Sequence, residues 1–251
     1  MTNVDPNPRP GGGATEQDVA PHPSPSHAAP EPVADAYASP VPVANAALVG
    51  VPTFLVGSIA LGLNLVDYVP QGIVGAPIAI IAMATGLGQV IATIFALKAG
   101  ESAVASVFGI FGGFWLSYAA LVLGILHNWF GFTTPPAGAS ASQAASAAVT
   151  AIDDSVKTFL LAWLILIVIL TLASIRLPAA FTLLFALVDV ALLFVYLAYH
   201  NASAGVPDSG QLKTGGVFVF AFVAVGAYLF FDAMFAATGG KNLPLGRPVL
   251  K

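Results

Sequence analysis

The sequence contains no cysteine and very little charge. Without cysteine, the chain can form neither disulfide bonds nor thiolate-ligated metal sites. Charged residues make up 8% of the 251 residues, whereas a soluble domain carries about 25%. Hydrophobic residues make up 57%, and they occur in long blocks. This combination excludes an ordinary soluble domain and indicates a protein that crosses a membrane several times.

The sequence also lacks the motifs of catalytic and metal sites. The four histidines show no metal-ligand spacing. Serine-nucleophile elbows, phosphate-binding glycine loops and Walker motifs are missing as well. We therefore expect no enzymatic activity, no metal, no cofactor and no nucleic-acid partner.

Six apolar segments predict an all-α membrane protein with six transmembrane helices in a bundle. About 20 apolar residues suffice to cross a bilayer as a helix. The predicted helices cover residues 47–66, 73–96, 103–126, 155–175, 179–200 and 215–237. Between the third and fourth helices, the Ala-, Ser- and Pro-rich stretch from Thr133 to Ala151 is expected to be a solvent loop.

Composition divides the chain into three regions. Residues 1–44 are rich in proline, alanine and serine, so we expect a disordered cytoplasmic tail. Residues 45–246 form the six-helix transmembrane domain, and residues 247–251 form a short basic C-terminal tail.

The distribution of basic residues predicts the orientation in the membrane. With six helices both termini lie on one side, and cytoplasmic loops carry the excess of Lys and Arg. The side of the termini holds Arg9, Lys98, Arg176, Lys241, Arg247 and Lys251, and the other side holds Lys157 and Lys213. We therefore expect a multi-pass protein of the plasma or inner membrane with both termini in the cytoplasm.

The second helix carries polar side chains at a regular interval. Thr85, Gln89 and Thr93 are four residues apart and therefore lie in one stripe. Such a stripe can form hydrogen bonds to a neighbouring helix, or it can line a path for a polar solute. Both interpretations stay open. Asn64, at the end of the first helix, is expected to face lipid headgroups or a loop.

Two carboxylates lie within the apolar segments, Asp189 in the fifth and Asp232 in the sixth. A carboxylate at mid-membrane costs about 2.5–3.5 kcal/mol on insertion scales, so each should face the bundle interior or water. Each is either a protonated group bonded to a neighbour or a group that couples protons to transport. Asp232 is also close enough to its helix end to reach the interface.

The third helix has two contrasting faces. Phe108, Phe111, Trp115 and Tyr118 share one side of the helix. A G-x-x-x-G pair that begins at Gly109 lies on another side and allows two helix backbones to approach closely. We expect the glycine side to pack against helices, and the aromatic side to serve either packing or a solute path.

Motifs along the chain resemble those of the acetate uptake transporter family, also described as the succinate–acetate permease or GPR1/FUN34/YaaH family. The family's Asn-Pro-Ala-Pro-Leu-Gly-Leu signature corresponds to Asn-Ala-Ala-Leu-Val-Gly-Val at residues 45–51, without both prolines. The family's second helix has a Gln followed shortly by a Lys/Gly turn, and Gln89 and the Lys-Ala-Gly turn at residues 98–100 stand in the same relation. Phe-Gly-Ile-Phe-Gly-Gly-Phe-Trp at residues 108–115 is similar to its aromatic residue and Tyr-Gly-x-Phe-Trp motif. Residues 240–246 are similar to its last segment.

The resemblance implies a homo-hexamer with a pore through each protomer and a narrow hydrophobic constriction of Phe, Tyr and Leu. Phe54 corresponds to the family's first-helix Phe, and Leu184 corresponds to its fifth-helix Leu. Phe111 corresponds to the family's Tyr, and as a Phe it lacks the hydroxyl. The implied solute is acetate or a related small monocarboxylate, with succinate as a further candidate. Asn45, the first residue of the signature, is then expected to join the pathway.

Other functions remain open from the sequence. A channel for a neutral solute such as urea, an amide or ammonia also needs no fixed positive charge. A structural membrane scaffold would use the N-terminal tail to recruit partners. Whether flux would be passive or coupled to protons is equally open.

Overall fold

The chain folds into a bundle of membrane-length helices. The structure is a computed structural model that describes residues 45–69, 75–135 and 137–250, and the predicted disordered tail, residues 1–44, lies outside them. Six helices in the described part are long and apolar enough to cross a membrane. The prediction of an all-α protein with six transmembrane helices is confirmed.

The second helix, α2, changes its winding along its length. It is α-helical over Gly75–Ala79, π-helical over Ile80–Gly86 and α-helical again over Leu87–Lys98. The other five helices are α1 (Ala47–Leu65), α3 (Ser102–Leu126), α4 (Ala141–Ala173), α5 (Ala179–His200) and α6 (Ser209–Ala237). A 3₁₀ turn over Ser174–Arg176 closes α4.

Helix α4 begins at Ala141, so the prediction of a solvent loop is wrong for residues 141–151. Ser140 and Gln143 form a capping box. The Ser140 hydroxyl accepts from the Gln143 N–H at 3.4 Å, and the Ser140 N–H donates to Gln143 Oε1 at 2.9 Å. Alanine is the strongest helix former, so the Ala-rich residues after the cap continue the helix ahead of its apolar part.

The six helices form a closed ring. Each helix packs against the next one along the chain, and α6 packs against α1. The α3–α4 side is closed largely by aromatic rings: Phe114 lies 5.9 Å from Phe159 and 5.5 Å from Trp163, between ring centroids. The interior of the ring is lined mainly by α1, α3, α4, α5 and α6.

Helices α1 and α2 approach each other closely through glycine. A Cβ atom on Gly57 of α1 would overlap the side chain of Thr85, and one on Gly88 of α2 would overlap the side chain of Thr53. Thr85 lies in the π-helical part of α2, and π segments inside helices are frequent at functional sites. The close fit fixes the position of α1 relative to α2.

The segment after α6, residues 241–250, returns across the ends of three helices, and we call it the C-terminal strap. Its Leu243 N–H donates to Asp232 at 2.7 Å, and Tyr228 of α6 donates to its Pro244 carbonyl at 3.0 Å. Its Leu245 carbonyl accepts from the Ala180 N–H at 3.0 Å. These bonds hold the strap at the end of the bundle where residues 45–47 also lie.

Candidate solute pathway

Two cavities lie inside the helix ring. We call the first one the loop-side cavity, because it lies at the end of the bundle where α3 connects to α4. Its volume is about 250 Å³, and it is bounded by the C-terminal ends of α1 and α3 and the N-terminal end of α6. We call the second one the tail-side cavity, because it lies at the end of the bundle that holds the C-terminal strap. Its volume is about 350 Å³, and it is bounded by the opposite ends of the same helices and by Asn242 of the strap. Phe54 and Phe111 belong to the walls of both cavities. These two rings therefore form the partition between the two spaces.

The partition is an aromatic cluster contributed by four helices. Phe54 and Phe111 meet edge to face with their centroids 4.9 Å apart. Phe222 of α6 lies 5.6 Å from Phe54, and Phe185 of α5 stacks 6.0 Å from Phe111. We call Phe54 and Phe111 the neck. The structure thus brings together the two residues that the family resemblance placed at a constriction.

Leu184 lies next to the neck on its tail side. It is buried, lines the tail-side cavity, and precedes Phe185 in α5. The sequence expectation for this leucine rested on an approximate alignment of α5, and the structure puts it in the wall of the expected space.

Gln89 lines the tail-side cavity and bonds to α1 at the same time. Its Nε2 atom donates to the Gly50 carbonyl and, at 3.1 Å, to Thr53 Oγ1. Because a carbonyl only accepts, the atom facing Gly50 has to be the amide nitrogen. The amide oxygen Oε1 is buried and has no hydrogen-bond partner in the part of the chain that is described. The unpaired polar atom of Gln89 is therefore an acceptor, and its donors are already used.

The other two members of the polar stripe face α1 and α3 rather than the interior. Thr85 is fully buried against Gly57, and Thr93 donates to the Gln89 carbonyl at 2.8 Å. Neither residue lines one of the two cavities described above. The structure therefore brings Gln89 to the cavities and keeps the two threonines at helix contacts.

Asn45 lies at the mouth of the tail-side cavity, just before the start of α1. It is exposed, lines this cavity, and its Oδ1 accepts from the Ala47 N–H at 2.9 Å. An Asn at this position satisfies one of the free N–H groups at a helix start. Its position agrees with the expected pathway, although its side chain also has this structural role.

The two membrane carboxylates occupy different surroundings. Asp189 accepts from Thr171 of α4 at 2.7 Å and joins α4 to α5, outside the walls of both cavities. Asp232 is buried, lines the tail-side cavity, and accepts from the Leu243 N–H of the strap. Of the two candidates for proton coupling, Asp232 is the one at a cavity.

Two residues of the loop-side cavity were missed or misplaced by sequence reasoning. Asn64 is buried and lines this cavity, so the expectation that it faces headgroups or a loop is wrong. Trp115 is 2% exposed and lines it too. The aromatic side of α3 carried the signal for Trp115, because that residue is one turn after Phe111. All four aromatic residues of that side line one of the two cavities.

The cavity walls carry little charge. Glu101 and Asp232 are the charged residues in the tail-side wall, and the loop-side wall is uncharged among the described residues. Neither wall contains a Lys or Arg within those residues. No group of three His, Asp or Glu side chains in the described ranges is placed to hold a metal ion.

Comparison with known proteins decides the family. The sequence pattern of the GPR1/FUN34/yaaH family matches residues 25–241, most of the chain. The chain belongs to the GPR1/FUN34/yaaH family. The family resemblance seen in the sequence is thereby confirmed, and with the six apolar helices it establishes a multi-pass membrane protein.

Two relatives of this GPR1/FUN34/yaaH member match part of the chain, and one of them is named for acetate. Acetate permease A of Emericella nidulans is 28% identical over 146 residues, which cover 57% of this chain and 46% of that protein. The Meiotically up-regulated gene 86 protein of Schizosaccharomyces pombe is 28% identical over 133 residues, which cover 53% of this chain and 39% of that protein. The chain therefore matches less than half the length of each of these relatives.

A solved structure shares the fold of this family member. The bacterial acetate channel SatP superposes with a TM-score of 0.63 at 19% sequence identity, covering 81% of this chain and 99% of that one. At this identity, the likeness establishes the fold.

Proposed function

We propose that this protein passes acetate and related small monocarboxylates across the membrane through the two cavities and the neck between them. The observation that carries the proposal is that Phe54 and Phe111 belong to the walls of both cavities. A path that narrows to apolar rings between two wider spaces selects by size and by ease of dehydration. The names of the Emericella permease and of SatP support acetate as the solute.

The lack of basic residues in the described cavity walls fits a carboxylate solute that passes without being tightly bound. A fixed cation in the path would hold a carboxylate, and both walls are free of Lys and Arg in the described residues. Succinate carries a second carboxylate that must also be dehydrated at the neck. We therefore expect acetate to pass more readily than succinate.

Within this proposal the pathway residues take different roles. Asn45, Gln89 and Leu184 line the tail-side approach, and Phe54 and Phe111 form the neck. Thr85 and Thr93 act indirectly, through the contacts that hold α2 against α1 and α3. If flux is coupled to protons, Asp232 is the better placed of the two membrane carboxylates, because Asp189 lies outside the cavities and bonds to Thr171.

We further propose a homo-hexamer in the plasma or inner membrane with both termini in the cytoplasm. The absence of cysteine allows a direct test of orientation, because a single introduced cysteine is the sole labelling site. Ser142→Cys lies at the loop side and Lys241→Cys at the tail side. A membrane-impermeant maleimide added to intact cells should label the first and spare the second; the reverse pattern would invert the orientation.

Solute uptake into proteoliposomes tests the function. Radiolabelled acetate, succinate and urea are compared, each with and without an imposed pH gradient. Acetate uptake above that of empty liposomes supports the proposal, and urea uptake in its place supports the neutral-solute channel. Acceleration by the pH gradient beyond that seen in empty liposomes would indicate proton coupling, because neutral acetic acid also crosses a bilayer unaided. Deletion of residues 1–44 should leave acetate uptake intact. A structural scaffold would transport no acetate, and its function would be lost with the tail.

A further inference from the structure

The indole N–H of Trp115 is a buried donor that is unpaired in the part of the chain that the structure describes. Trp115 is 2% exposed, and its Nε1 atom has no hydrogen-bond partner among the described residues. Buried donors in folded proteins are nearly always paired, because an unpaired one loses its bond to water and gains nothing in return. An indole N–H that is unpaired among the described residues is therefore available to a bound solute.

The position of Trp115 places this donor at the neck. Its ring meets Phe54 edge to face with centroids 6.4 Å apart, and it packs against Phe114 at 5.0 Å. The ring lines the loop-side cavity and not the tail-side one. A solute that reaches the neck from the loop side meets the Trp115 ring immediately before the partition.

The two sides of the neck present groups of opposite hydrogen-bonding type. On the tail side, the Gln89 amide nitrogen is used by Gly50 and Thr53, which leaves an acceptor oxygen. On the loop side, Trp115 can only donate. A carboxylate only accepts, and hydrogen bonds from a neutral donor to a charged acceptor are stronger than neutral pairs. The donor that suits a carboxylate at the neck is therefore on the loop side.

We propose that Trp115 is a solute-binding residue whose indole N–H donates to a carboxylate oxygen in the loop-side cavity, next to the neck. This inference rests on the proposed function, because it takes the solute to be a carboxylate. It assigns the selection of the carboxylate to Trp115 and the selection of size to Phe54 and Phe111.

Binding is tested on the full-length protein by NMR of the indole groups. The chain has three Trp residues, so three indole signals are expected, and the Trp115 signal is the one lost in Trp115→Phe. Sodium acetate should shift the Trp115 proton downfield in a saturable way, and sodium chloride at the same ionic strength should not. Trp163, which lines neither cavity, is the internal control. No saturable shift at Trp115 would overturn the inference.

Transport measurements on variants distinguish the effect of the Trp115 N–H group from the effect of the ring's size. Trp115→Phe keeps more of the ring volume, whereas Trp115→His leaves a larger space but retains a ring N–H. We expect Trp115→Phe to raise the KM for acetate by about tenfold or more, the loss typical of a hydrogen bond to a charged group. Trp115→His should recover a large part of that loss, and Trp163→Phe should leave KM unchanged.

The outcomes distinguish this inference from the proposed function. An unchanged acetate KM in well-folded Trp115→Phe, or equal losses in the Phe and His variants, would overturn the role of the N–H. If the wild-type protein transports no acetate but the Trp115 signal still shifts with acetate, the binding residue stands and the transport proposal fails.

Discussion

Truncation of a neck ring should change which acids pass. In Phe111→Ala the ring between the two cavities is removed, so the cavities join. We expect the ratio of succinate to acetate uptake to rise at least tenfold, which corresponds to a barrier lowered by about 1.4 kcal/mol. Phe54→Ala should act in the same direction, because its ring belongs to both cavity walls as well.

The cost in stability follows from what each ring contacts. Replacing a buried Phe by Ala typically costs about 3–5 kcal/mol, more when a closed void is left. Phe111 borders a cavity on each side and packs against two rings, Phe54 and Phe185. Its removal enlarges existing spaces, so we expect a cost near the lower end, about 3 kcal/mol.

Phe114 is the matched control for this prediction. It lies on the same helix, is similarly buried, and lines the loop-side cavity alone. It packs against Trp115, Tyr118, Phe159 and Trp163, so Phe114→Ala should cost about 5 kcal/mol, at least as much as Phe111→Ala.

The assay combines uptake with thermal unfolding. Labelled acetate and succinate uptake are measured in proteoliposomes for both variants, normalised to folded protein, and melting is followed in detergent. The reasoning is refuted if Phe114→Ala relaxes selection as much as Phe111→Ala, because selectivity would then follow stability. It is also refuted if well-folded Phe54→Ala and Phe111→Ala both keep the wild-type ratio.

Three further predictions concern the polar contacts and the assembly. Gln89→Leu removes the bonds to Gly50 and Thr53, so it should lower stability by about 1–3 kcal/mol in thermal unfolding, and an unchanged melting temperature would show that these bonds contribute nothing. Uptake per folded protein should also fall in this variant if Gln89 lines the path. Asp232→Ala should release the strap and speed maleimide labelling of Leu243→Cys, whereas Asp232→Asn, which keeps an acceptor, should stay close to the wild-type rate. Native mass measurement in mild detergent should give a hexamer, and a stable monomer or dimer would contradict it.

The helices were predictable because the apolar blocks end at turn residues. The predicted 179–200 matches α5, since Pro178 and the polar residues after His200 mark its limits. The start of α4 was not predictable from hydropathy, because residues 141–151 are small and only weakly apolar. Their helix comes from the capping box at Ser140 and from alanine, two local signals that a hydropathy reading does not weigh.

The site was predictable only in part, because long-range partners are not visible in one sequence. The resemblance located Phe54 and Phe111, and spacing aligned Gln89 with two threonines. Nothing in the sequence indicated that the amide nitrogen of Gln89 donates a hydrogen bond to the Gly50 carbonyl, 39 positions away. That contact and the one to Thr53 occupy both N–H donors, so the amide oxygen is the atom of Gln89 that stays unpaired among the described residues.

The polar stripe and the aromatic neck belong to one arrangement. Gln89 bonds to Gly50 and Thr53, and Thr85 packs against Gly57, so α1 is held to α2 on both sides of Phe54 in sequence. A ring that must separate two cavities cannot rely on those cavities for support, because empty or hydrated space offers no packing partners. The backbone that carries Phe54 is therefore fixed through its contacts with α2, by the hydrogen bonds at Gly50 and Thr53 before the ring and by the close glycine contact at Gly57 after it. On this argument the polar residues of α2 determine where the neck ring lies and, under the proposed function, which solutes pass it.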